Sequence, residues 1–160
     1  MDISVTGSST VLLASPFVDE RTAYAAALRD RGYELREVSD GASLIAAAEA
    51  APPHLIICEM LLPDEDALSV SRKLRAIPLT SEVPFMIVSG TAQGTLADGT
   101  AGVRRKPCEA HLVIKQAEAI VAFSRSLREQ AVQIRTESDQ LMADAKRRRD
   151  EGGRITGGRP

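Results

Sequence analysis

The side chains able to do chemistry in this 160-residue chain are few, and the informative ones stand where apolar runs stop. Ser15 and Pro16 end the run Val11-Leu-Leu-Ala14, and Glu59 lies near the close of His54-Leu-Ile-Ile-Cys-Glu-Met60. Ser89 follows Val83-Pro-Phe-Met-Ile-Val88, and Lys106 closes the short stretch Gly102–Lys106. Lys106 would otherwise stand uncompensated, so a charge-assisted contact with Glu59 is expected. Sulfur and imidazole chemistry has little to work with. The two cysteines, Cys58 and Cys108, and the two histidines, His54 and His111, are too few and too scattered for a zinc cluster or a disulfide framework. Cys58, inside an apolar run, reads as an inert core thiol, and Cys108, on a loop after a strand, as the more reactive one, though nothing visibly activates it. The histidines read as surface or cap residues, and Asp64 and Asp66 as helix-capping acids.

The elements that must position these residues alternate. Val11–Ala14 reads as a buried strand, followed by a helix from Asp19 to Leu28 that Gly32 stops. Glu34–Ser39 is a second strand. Asp40 caps a helix over Ala42–Ala51, and Pro52-Pro53 prevents its continuation. His54–Met60, continuous and β-branched, reads as a central parallel strand. A helix opened by Asp64–Asp66 runs to about Ala76, Val83–Val88 is the fourth strand and Gly102–Lys106 the fifth. From Glu109 the helical pattern runs on to about Lys146. Strand and helix alternating through short connections define an α/β doubly wound domain on a five-stranded parallel sheet. In such sheets the functional crevice lies beyond the carboxyl ends of the strands, which is where Ser15, Pro16, Glu59, Ser89 and Lys106 fall.

Composition narrows the function classes. The net charge is −2 and the hydrophobic content 44%, so disorder throughout is excluded and no global basic field favours nucleic acid or an anionic membrane. Aromatic residues make up 3% with no Trp, which suits helices on a parallel sheet better than an aromatic binding platform. The apolar runs are far shorter than the roughly 20 residues of a membrane span, and the N-terminus has no signal-peptide pattern. The chain is expected to be cytoplasmic, with no membrane partner.

The motifs Val11-Leu-Leu-Ala-Ser-Pro with Asp19-Glu-Arg, His54-Leu-Ile-Ile-Cys-Glu-Met-Leu-Leu-Pro63, Val83-Pro-Phe-Met-Ile-Val-Ser89 and Arg105-Lys-Pro107 together resemble the receiver domain of bacterial two-component response regulators, of the CheY-like kind. The resemblance covers about Thr10 to Phe123. It implies a phosphoacceptor aspartate at the end of the third strand and an acidic pair after the first that helps hold Mg²⁺. It also implies a Ser or Thr after the fourth strand and a Lys after the fifth, both contacting the phosphoryl group. Ser89 and Lys106 match the last two. Glu59 stands at the acceptor position, and Ser15 and Pro16 stand where the acidic pair belongs. Glu59 and Lys106 sum to zero charge, and Pro16 offers no side-chain ligand. Mg²⁺ and phosphotransfer are therefore not expected. Two readings of Glu59 stay open: it holds an active-like state by reaching toward Ser89 and Lys106, or it is a relic in a domain that no longer switches. The stretch from Gly90 to Gly102 holds four glycines, each costing a helix about 1 kcal/mol, so the helix between the fourth and fifth strands is expected to be shortened or lost.

The last helix keeps a seven-residue repeat past the end of such a domain. Val113, Ile120, Leu127, Ile134 and Leu141 form the large half of a coiled-coil seam, and Ala117, Ser124, Ala131, Ser138 and Ala145 the small half. The expected division is a flexible N-terminus over 1–9, a receiver-like domain over 10–123, a coiled-coil extension over 124–149 and a flexible tail over 150–160. The function expected is a phosphorylation-independent pseudo-receiver that is not an enzyme, uses no cofactor or metal and has no catalytic residue. It binds a signalling protein and forms a homodimer through the extended helix. The alternatives are part of an antiterminator-like nucleic-acid regulator whose output domain is absent from this chain, and a working phosphoacceptor receiver. Nucleic acid is not the expected partner.

Overall fold

In a computed structural model of the chain, the residues described are 8–89, 100–105 and 110–155. Strand β1 (Thr10–Ala14) leads into helix α1 (Val18–Arg29), β2 (Glu34–Val38), α2 (Gly41–Ala50), β3 (Leu55–Glu59) and α3 (Ala67–Arg75). Then come β4 (Phe85–Ser89), β5 (Thr100–Arg105) and α4 (Ala110–Ile155). The strands form one five-stranded parallel sheet in the order β2-β1-β3-β4-β5. Each boundary falls within a few residues of the sequence-based expectation, except the end of α4. The expected flexible tail from Asp150 is corrected: α4 continues to Ile155. Once a helix is nucleated each further residue adds a hydrogen bond, so Gly152 and Gly153 weaken it by about 1 kcal/mol each without stopping it.

The sheet is covered on both faces, as a parallel sheet requires. Val11 and Leu13, Leu55 and Ile57, and Met86 and Val88 alternate onto one face, where they meet Tyr24, Ala25 and Leu28 of α1 and Val113, Ile114, Ala117 and Val121 of α4. Leu12 and Ala14, Ile56 and Cys58, and Phe85 and Ile87 take the other, against Leu44 and Ala48 of α2 and Val70 and Leu74 of α3. Complete burial of a Leu or Ile in such a layer stabilises by about 1.5–3 kcal/mol. Edge strand β2 is half-covered, and its Arg36 donates to the carbonyl of Ala47 at 2.9 Å near the end of α2. Ser9, counted with the flexible N-terminus in the sequence-based division, is buried, and its carbonyl accepts from Glu34 N–H at 3.1 Å. The stretch 90–99, where a helix was expected to be shortened or lost, lies outside the described residues, as do Lys106 and Cys108.

The chain divides into two compact units, one ending at Ala122 and the other beginning at Phe123. Val113 is fully buried in the first unit and Ile120 packs against the same cluster, which corrects their placement in the coiled-coil seam. The stripe that begins as core must cover the sheet before any residue is left over for a partner.

The loop after β3 carries an unexpected tie. Its turn is closed by Leu62 N–H to Glu65 carbonyl at 3.1 Å and Ala67 N–H to Met60 carbonyl at 2.8 Å. Asp66 caps α3 through Ser69 N–H at 2.7 Å, and Asp40 caps α2 through Ser43 N–H at 2.8 Å. Asp64 does not cap its own helix. Its carboxylate accepts from Gly41 N–H at 2.8 Å and Ala42 N–H at 2.9 Å, the open first turn of α2. Those two N–H groups hold the Asp64 carboxyl below its ordinary 3.8. Gly41 makes the approach possible, since a Cβ there would lie 2.8 Å from Glu65 Cγ and 3.1 Å from Val70 Cγ2. Because the folded state favours ionised Asp64, its contribution is complete above 3.8 and fades as the pH falls through the lowered folded value. Urea midpoints measured from neutral to acid pH should therefore fall less steeply below pH 3.8 for Asp64→Asn than for the parent chain, and the variant should be the less stable at neutral pH.

Candidate functional site at the carboxyl edge of the sheet

Parallel pairing fixes which residues share the edge. Ala14 is in register with Cys58, and Glu59 with Val88, so β1 and β3 deliver Ser15 and Glu59 to adjoining positions. Met60 N–H donates to Val88 carbonyl at 2.8 Å and carries the pairing one residue beyond Glu59. Ser89 ends β4 opposite Arg105, the residue before Lys106. Three of the residues singled out from the sequence thus meet at one edge, and all three are buried: Ser15 at 2%, Glu59 at 6% and Ser89 at 1% exposure. The expected Glu59–Lys106 contact lies outside the described residues.

Ser15 is fully engaged. Its N–H donates to Val38 carbonyl at 3.2 Å, its Oγ accepts from Phe17 N–H at 3.2 Å, and the same hydroxyl donates to Glu20 Oε2 at 3.2 Å. Arg21 Nη1 donates to the Ser15 carbonyl at 2.6 Å, while its Nε lies 3.6 Å from Glu37. Tyr24 O–H reaches the other Glu20 oxygen at 3.4 Å. Glu20 and Arg21 are the participants that sequence reasoning missed. The signal available was a serine three residues before a helix start with an acid five residues on, because a hydroxyl that closes a turn has a free proton to give to the helix's first turn.

Cys58 is buried on the opposite face of β3 from Glu59 and donates to the Glu59 carbonyl at 3.3 Å. Burial pushes its thiol well above the ordinary 9.0, and the carboxylates of Glu59, Asp64 and Glu65 add to the shift. His54 sits at the far end of β3, where its Nδ1 accepts from Thr10 N–H at 3.0 Å. It closes the start of the β1–β3 pair and is remote from the carboxyl edge. Among the described residues no three His, Cys, Asp or Glu side chains converge as metal ligands, and no helix is long and apolar enough to cross a membrane.

With fold and edge in view, comparison with known proteins places the chain. It belongs to the response regulator receiver domain family, whose model matches residues 11–117. The probable transcriptional regulatory protein TcrX of Mycobacterium tuberculosis is 36% identical over 78 residues, which are 48% of this chain and 31% of TcrX. The response regulator PleD of Caulobacter vibrioides is 23% identical over 130 residues, 78% of this chain and 25% of PleD. The chain therefore spans less than a third of the length of these relatives. Among solved structures, NtrX from Brucella abortus aligns with a TM-score of 0.69 at 26% identity, covering 78% of this chain and 29% of that one. The chemotaxis response regulator CheY4 of Vibrio cholerae aligns at 0.66 and 19% identity, covering 71% of this chain and 98% of CheY4.

The residues at this edge do not fit the Mg²⁺ that the resemblance implies. A hard divalent cation takes its ligands from clustered oxygens, chiefly carboxylates. Here a serine hydroxyl, bonded to Phe17 and Glu20, stands after β1 in place of a carboxylate, Pro16 brings no side-chain donor, and among the described residues no three carboxylate, His or Cys side chains converge. A chain carrying Cys108→Ser should leave Cys58 unlabelled by iodoacetamide at pH 8 under native conditions and show full labelling in denaturant. Rapid native labelling would mean that β3 opens readily.

Proposed function

We propose that the chain is a phosphorylation-independent pseudo-receiver that works as a protein-interaction module in signalling and forms a homodimer through the second half of α4. The observation that carries this reading is the closed hydrogen-bonding of Ser15 to Phe17 and Glu20, beside Pro16, at the position where the resemblance implies cation-binding acids. A phosphoryl group arriving at a carboxylate brings negative charge to negative charge, and a cation normally offsets that repulsion. With Glu59 as the carboxylate on β3 and no cluster of metal-ligating side chains among the described residues, phosphotransfer has no such offset. Glu59 places a carboxyl group at the acceptor position, one methylene longer than aspartate, with fewer acceptor oxygens than a phosphoryl group.

The dimer half of the reading rests on the unit that begins at Phe123. From there to Ile155 α4 runs about 50 Å at 1.5 Å per residue. Its large seam residues Leu127, Ile134 and Leu141 are exposed, and an isolated amphipathic helix gains most of its stability by burying such a stripe.

Incubation with Mg²⁺ and acetyl phosphate should leave the intact mass without a phosphoryl adduct, and Glu59→Asp alone should not create one. Incorporation by that single variant would sink the missing-cation argument. Light scattering should give a dimer for the full chain and a monomer for Leu127→Asp combined with Ile134→Asp, whose amide spectrum for residues 8–89 should be unchanged. A monomeric parent chain would refute the dimer.

A further inference from the structure

We infer that the two copies of α4 run parallel and in register, with the direction set by charge on the two flanks of the seam; this deepens, and rests on, the homodimer reading above. The exposed seam of the second unit has large residues Leu127, Ile134 and Leu141 alternating with Ala131, Ser138 and Ala145. Four residues separate each large position from the next small one and three separate small from large, so the large residues occupy d and the small ones a. The e positions are then Arg128, Arg135, Met142 and Arg149, which include three bases and no acid. The g positions are Gln130, Glu137, Asp144 and Glu151, which include three acids and no base. All eight side chains are exposed.

In a parallel in-register pair each g residue meets the e residue of the next heptad on the other copy. Asp144 then faces Arg149 of the second copy, Gln130 faces Arg135 of the second copy, and Glu137 lies over the Met142 stem. Symmetry repeats every contact. In an antiparallel pair e faces e and g faces g, which sets arginine against arginine along one side and acid against acid along the other. A seam of alternating large and small residues can pack in either direction, so the flanks decide. The contacts within the helix do not consume these charges. Asp144 pairs with Arg147 at 2.6 Å and Glu137 accepts from Gln133 at 2.7 Å, both at exposed positions where a carboxylate has lone pairs for a second donor. Exposed pairs are individually weak, and the one acid–base pair, Asp144 with Arg149, occurs twice by symmetry, so the preference arises chiefly from like charges kept apart. The parallel arrangement also brings the two Ala122–Phe123 junctions to the same end of the coil.

Two full-length chains test this, each carrying Cys108→Ser, one with Ala131→Cys and one with Ala145→Cys; Cys58 is buried and stays. Both new thiols occupy a positions, about 21 Å apart along the helix. In a parallel in-register dimer each faces its own counterpart, so mild oxidation should convert most of both chains to disulfide-linked dimer. An antiparallel pair has at most one self-facing position. If light scattering under reducing conditions shows a dimer while only one chain or neither cross-links, the parallel inference is overturned and the homodimer stands. If the same samples are monomeric, the homodimer reading falls and takes the inference with it.

Discussion

In-register parallel pairing of β1, β3 and β4 is the constraint on which the rest of the molecule depends. Parallel strands expose the same end to the same side, so any residue that follows a strand arrives at one edge together with the others. Helices cover both faces of β3, and all five of its residues are buried. Side chains alternating through the sheet must therefore be apolar on both sides, which Leu55-Ile-Ile-Cys58 supplies. A carboxylate enters only at Glu59, where the strand ends and the interior begins to open. Chemistry in this fold is confined to that margin by the cost of burying charge anywhere else.

At the margin, the local bonds decide what the edge can do. A serine after β1 can offer its hydroxyl to a ligand or close a turn. Here it closes the turn at Phe17 and passes its proton to Glu20, and Arg21 holds its carbonyl. These contacts fix the entry of α1 over the sheet. The loop after β3 is tied just as firmly, though by a different route, since Asp64 crosses to the first turn of α2 and Lys73 meets Glu65 at 2.8 Å. Lys73 and Ser69 hold the Glu65 carboxyl below its ordinary 4.5, so this side of the edge keeps its negative charge at neutral pH. Both loops spend their polar groups on holding neighbouring helices, which suits a scaffold presenting a fixed surface.

The fold was legible in the sequence wherever periodicity and local chemistry agree. The four-residue apolar run of β1, the continuous β-branched run of β3 and the Asp40 cap each depend on neighbours within a few positions. Asp64 was not legible, because its partners lie 23 and 22 residues upstream and only the packed sheet brings them near. Glu20 lies in the first turn of α1, but the hydroxyl that meets it depends on how the chain bends at Pro16. His54 read as a surface or cap residue, and its ring accepts from a backbone N–H at the start of a strand. The positions of Ser15, Glu59 and Ser89 at one edge followed from strand order alone.

The seven-residue repeat of α4 shows why pattern identifies an apolar stripe but not its occupant. Val113 and Leu141 obey the same spacing, yet Val113 is fully buried while Leu141 is 71% exposed. The sheet can cover only as much of a helix as it has width, and the companions of Val113 on that face, Ile114, Ala117 and Val121, use it up. Beyond Phe123 the repeat persists although the described residues of the second unit form no sheet for it to cover. On the homodimer reading, an apolar repeat kept in phase there, flanked on one side by bases and on the other by acids, is the surface that meets its like. Three large residues per copy, each gaining about 1.5–3 kcal/mol on full burial, make a short seam. On the homodimer reading, assembly is consequently concentration-dependent, while folding of the first unit draws on its own two-sided core and does not wait for a partner.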